Sequence, residues 1–143
     1  MRSVLVLAVL VTSGCAAPVA SLRVQGDRFT AGQTILGSLK NESSFYELHH
    51  GVLCLAHLEL QRGADWTNAP EPERACILPL LITAPDTTID FRYALDASLP
   101  EGRYRLRFEV SRGRFRLFGF GVGKNGESAV LASPPFTVLA KTR

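Results

Sequence analysis

The stretch RYRLRFEV, residues 103–110, restricts the possible folds of this chain more than any other segment. Tyr104, Leu106, Phe108 and Val110 alternate with Arg103, Arg105, Arg107 and Glu109. Successive side chains on a strand point to opposite faces, whereas a helix would scatter the arginines around its circumference. Burying the four apolar residues together while solvating the charges therefore requires a strand with one wet face. TTIDFRYAL repeats the pattern, with Ile89, Phe91, Tyr93 and Leu95 on one side and Asp90 and Arg92 on the other. Glycine, proline and asparagine punctuate the chain at short intervals, and no window of ten residues carries a capped helical period. ADWTNAPEPERA is proline-rich and reads as loop, and Asn125-Gly126 reads as a hairpin turn. These signals predict an all-β antiparallel sandwich, and 143 residues suffice for a single domain of this kind.

The amino terminus reads as an export signal. Arg2 precedes the apolar run Val4 to Val11, which is too short to cross a bilayer as a helix. Thr12-Ser13-Gly14-Cys15 follows, and small residues before a cysteine resemble the lipobox of bacterial lipoproteins, in which that cysteine is acylated. Cleavage after a small-x-small triplet, giving a secreted soluble protein, is the other reading. Residues 1–14 are then a signal peptide, 15–21 a lipidated tether and 22–143 the sandwich domain. The three cysteines fit this division. With Cys15 carrying lipid, Cys54 and Cys76 remain as an even pair in an oxidising compartment. A disulfide between them would contribute roughly 3 kcal/mol through loop closure; two buried thiols are the alternative.

Several segments in order, GSLKNESSFYEL, LCLAHLELQRGADW, RACILPLLITAPDTTIDFRYAL, LPEGRYRLRFEV and ASPPFTV, resemble an immunoglobulin-like domain that recurs in bacterial lipoproteins and other cell-envelope proteins. The likeness spans roughly residues 30 to 140. It implies an envelope-located immunoglobulin-like β-sandwich and no particular reaction. LPEGRYRLRF also looks like the tyrosine corner of such sandwiches, with the Tyr104 hydroxyl bonded back across the turn before its strand.

Candidate chemistry is sparse. HHGVLCLAH, residues 49–57, carries three histidines and a cysteine, but metal ligands must converge on one point. If the segment is a single strand, Cys54, Leu58 and Leu60 face the core, His57 and Glu59 face solvent, and His49 and His50 sit exposed at its entrance. Low-affinity metal binding through His49, His50 and His57 stays a minor alternative, and no metal or other cofactor is expected. No serine stands in a nucleophile motif. Glu71 and Glu73 lie in the proline-rich segment as solvated charge. GFGVGKNGES fails as a phosphate loop because Phe118 and Asn125 occupy required positions. Asn41-Glu42-Ser43 spells a glycosylation sequon without consequence in a bacterial lipoprotein.

The arginines are the remaining feature. Arg103, Arg105 and Arg107 share one face, and Arg112, Arg114 and Arg116 would join them if Gly113 turned a hairpin. Such a patch suits phosphates, lipid headgroups or an acidic partner. A formal net charge of +3 and the lack of interleaved aromatics argue against nucleic acid. The sequence therefore predicts a non-enzymatic envelope lipoprotein in the periplasm. It would be held to the membrane through Cys15, presenting loops or an arginine-bearing sheet face to a protein partner, with no small-molecule substrate. The alternative is a protease-inhibitor-like domain inserting the Gly63 to Arg74 loop into a cleft.

Overall fold

The computed structural model describes residues 19–51, 56–72, 80–117, 120–122 and 126–141, with the side chains of 114–117 and 120–122 outside that description. Cys15, Cys54 and Cys76 lie outside the described residues, and with them the lipidation site and the disulfide.

Two sheets face each other across one core, and no helix occurs among the described residues. The first sheet has the order β1 (Ala20–Val24), β3 (Thr34–Asn41), β8 (Thr88–Ala94), all antiparallel. Its β1 already begins at Ala20, so residues 20 and 21, placed with the tether above, pair with Asn41 and Lys40. The second sheet is organised around β9 (Gly102–Leu117), a strand of 16 residues. Along one edge of β9 run β12 (Phe136–Leu139), β11 (Ser128–Ala132) and β10 (Phe120–Val122), and along the other β5 (His57–Arg62) and β4 (Tyr46–His50). Three short strands extend this sheet: β6 (Asp65–Asn68) beside β5, β7 (Leu81–Thr83) beside β4, and β2 (Arg28–Thr30) parallel to β12. The chain passes from the first sheet at β3 to the second at β4, back at β8 and over again at β9. That alternation is the immunoglobulin-like arrangement.

The alternation in β9 fixes the core. Tyr104, Leu106, Phe108 and Val110 are all buried and meet Ile35, Leu39 and Tyr93 from the opposite sheet. Each large side chain so buried contributes about 1.5–3 kcal/mol. Tyr104 opens the strand, and its hydroxyl donates to the Pro100 carbonyl at 2.7 Å, closing the turn that enters β9.

Three expectations need correction. Gly113 does not turn a hairpin, because β9 runs through it unbroken to Leu117. Reversal falls between Leu117 and Phe120, which pair with each other. The strands on either side of Asn125-Gly126 do not form a hairpin, since β10 and β11 both run antiparallel to β9 and so in one direction; Asn125 itself lies outside the described residues. ADWTNAPEPERA is not all loop either, since Asp65–Asn68 forms β6. Gly63, at φ 64°, takes the left-handed conformation that a two-residue hairpin requires, folding Asp65 back onto Arg62.

Candidate functional site

The outer face of the second sheet is built from the polar half of the β9 alternation. Register brings Arg103 beside Thr137 of β12, and Thr137 beside Arg28 of β2, so these residues share a cross-strand row. In the neighbouring rows Glu59 of β5 lies opposite Arg105, and His57 opposite Arg107. Glu59 is buried beneath the guanidiniums, not solvent-facing as the sequence suggested. Its Oε2 accepts from Arg105 Nε at 2.7 Å, and its Oε1 lies 3.8 Å from Arg107 Nε. Arg105 also stacks over Trp66, with its guanidinium carbon 4.4 Å from the ring centroid. Cation–π contact and ion pair together hold Arg105 in place.

This leaves a positively charged surface. Arg28, Arg103, Arg105 and Arg107 share it with two carboxylates, the buried Glu59, engaged chiefly with Arg105, and the exposed Glu109, the next outward residue of β9 after Arg107. Among the described residues neither Arg28 nor Arg103 has a salt-bridge partner. Arg112 does not belong to this face: it pairs with Leu48, and its guanidinium lies over the Tyr46 ring at 4.5 Å. The side chains of Arg114 and Arg116 lie outside the described residues.

Two of the three histidines, His49 and His50, are buried in the sheet. HHGVLCLAH is not one strand: β4 stops at His50 and β5 starts at His57, with Gly51 and Ala56 outside both. His49 and His50 are buried, not exposed as expected, while His57 is exposed. His50 has both ring nitrogens engaged. Nδ1 is 2.7 Å from the Gly51 carbonyl, which can only accept, so Nδ1 carries the proton. Nε2 then accepts from the Thr83 hydroxyl at 2.8 Å. Burial pushes the His50 pKa below the usual imidazole value, and the nearby His49 acts in the same direction. His49 lies over Gly113, and its Nε2 approaches Glu47 Oε2 at 3.5 Å. Among the described residues no group of three histidine, cysteine, aspartate or glutamate side chains is placed to hold a metal ion.

A cavity of about 860 Å³ opens where β4 has stopped and β5 has not begun, with His49, His57, Arg107, Glu109 and Ser111 among its walls. Glu71 accepts a hydrogen bond from the Tyr93 hydroxyl at 2.6 Å; Glu73 lies outside the described residues. The segment offered as a protease-inserting loop is, from Asp65 to Asn68, a strand laid on β5, and Ala69 N–H bonds back to the Leu58 carbonyl at 2.8 Å.

Sequence reasoning missed Glu59, Trp66 and Asn41. The first two take their roles from registers that only the folded sheet sets. Asn41, read as a sequon, is almost fully buried. Its amide donates to the carbonyls of Tyr46 at 2.8 Å, Ala84 at 3.1 Å and Thr83 at 3.2 Å, and its Oδ1 accepts from Ser43 N–H at 3.1 Å.

Neither a protein-family model nor any curated protein matches this sequence. Among solved structures, the chain is similar to the ASH / PapD-like domain of human CEP192 (PapD-like domain 7). The TM-score is 0.42 with 13% identity, covering 99% of each chain.

Proposed function

We propose that this chain is a non-enzymatic module of a bacterial cell envelope, lipid-anchored through Cys15 and closed by a Cys54–Cys76 disulfide. In this reading it presents the arginine face of β9 to an acidic protein partner. The observation that supports it is the charge imbalance on that face, where Arg28, Arg103, Arg105 and Arg107 outnumber the carboxylates Glu59 and Glu109. Guanidiniums held flat on a sheet can fork onto carboxylates with little further ordering. Steering by such a patch speeds encounter with an acidic surface and weakens as salt rises.

The test is a photo-crosslinking residue placed at position 103 in intact cells, with position 92 on the opposite sheet as control. A discrete protein adduct is expected at 103, absent at 92 and lost on Arg107→Glu. Equal adducts at both positions, or none at 103, would overturn the reading. Labelling with a lipid precursor checks the anchor, which Cys15→Ser must abolish.

A further inference from the structure

We infer that the end of the sandwich gathered around Asn41 rests on the lipid surface, with its exposed apolar side chains entering the interface. This inference rests on the anchor at Cys15 proposed above. Seven large hydrophobic side chains are exposed among the described residues, and three of them belong to this end, Val19, Phe45 and Ile82; Leu81 lies further along β7 beside His50, and Leu80 lines the cavity with Arg107 and Glu109. Leu36 and Val130 stand alone on other faces, as single exposed apolar residues commonly do.

Asn41 is what brings the three together. Its amide binds the carbonyls of Tyr46 and Thr83, the neighbours of Phe45 and Ile82. Glu42 N–H bonds to the Val19 carbonyl at 2.9 Å, drawing the start of the sandwich to the same place. Phe45 is 60% exposed, Ile82 57% and Val19 54%, three large apolar side chains left in water around one buried hub.

The chain itself argues for the occupant. Cys15 lies four positions before Val19, so an acyl chain there could stand no further from this end than a few extended residues reach, roughly 14 Å. A lipid-attached cysteine would therefore hold Val19, Phe45 and Ile82 at the interface whether or not they contribute binding. One acyl chain binds reversibly, and a second membrane contact makes the attachment stable. Charge points to insertion as its basis: Lys40 and Arg112 at this end are offset by Glu42 and Asp86, and the row of Arg103, Arg105 and Arg107 lies along the far part of β9. The contact should then need no anionic lipid and should be insensitive to salt.

The mature chain reconstituted in phosphatidylcholine vesicles carrying a photoreactive phospholipid tests this. Adducts on the peptides bearing Phe45 and Ile82 are expected at ten times or more the level on the peptide bearing Trp66, unchanged by salt. Even labelling, or none at these peptides while mass spectrometry finds lipid on Cys15, overturns the inference and leaves the anchor standing. A protein dimer lost in the double variant Phe45→Ser/Ile82→Ser, with no lipid adducts, would assign the patch to a second copy and overturn it too. If Cys15 proves unacylated, the anchor reading fails, and vesicle binding by the chain then tests the surface alone. A tenfold loss in the double variant, with its unfolding midpoint unchanged, supports the inference; no binding, or equal binding, overturns it.

Discussion

At the scale of single residues, buried polar groups carry more of the architecture than the sequence discloses. Asn41 donates to three carbonyls from two separate segments, so removing its amide leaves acceptors stranded out of water. Asn41→Ala is expected to reduce the unfolding free energy by roughly 2–4 kcal/mol, measured by urea titration, and Asn41→Asp by more, since a carboxylate would face those carbonyls. His50 makes stability depend on pH. Its folded pKa lies below the ordinary imidazole value, so as pH falls below about 6.5 the unfolded chain takes up a proton that the folded one resists. The His50 contribution is therefore fully present above neutrality and is lost on acidification, with a slope of up to about 1.4 kcal/mol per pH unit. Urea titrations at pH 7.5 and 5.5 should show a smaller difference for His50→Gln than for the unsubstituted chain.

At the scale of elements, β9 was legible and its partners were not. Its alternation survives because one face is solvated and the other buried, the condition under which sequence and exposure agree. The strand that pairs with it has no such contrast. From Glu47 to His50 every residue of β4 is buried, so polar and apolar positions no longer report which way they point. That is why HHGVLCLAH reads as one strand when it is two strand ends. The arginine face was legible in part: Arg103, Arg105 and Arg107 follow from alternation, whereas Glu59 and Trp66 join them only through the β5 register. Contact between β4 and β9 also shows in Gly113. A Cβ added there would fall 2.3 Å from His49 Nε2, so the imidazole must give way. Gly113→Ala is expected to destabilise by about 1–3 kcal/mol. Pairing it with His49→Ala should recover part of that loss, as a coupling in a double-mutant cycle of unfolding free energies.

At the scale of the whole molecule, the sandwich class was fixed by pattern, because period-two segments and turn residues recur along the chain. Its edges were not, since register and strand breaks depend on contacts between segments far apart in sequence. The domain has two dissimilar ends along β9. Phe115 pairs with Tyr46 near the Asn41 hub, while Arg103 and Arg105 lie ten or more residues away, roughly 30 Å along a strand. Exposed Val19 and Phe45 mark one end, where Arg112 covers Tyr46, and the row of Arg103 and Arg105 marks the other.

The ladder of β1 against β3 gives this polarity a mechanical meaning. Five residues, Ala20 to Val24, lie antiparallel to Asn41 to Gly37, with the chain entering at the Asn41 end. A pull on the amino terminus against a load on the arginine face runs along these strands, so their hydrogen bonds are strained together instead of opening one at a time. Single-molecule stretching between residue 19 and residue 103 should accordingly give a higher rupture force than stretching between residues 19 and 42, which opens the same ladder from one end. A domain tethered at one end and gripped at the other would thus resist traction in the direction it receives it.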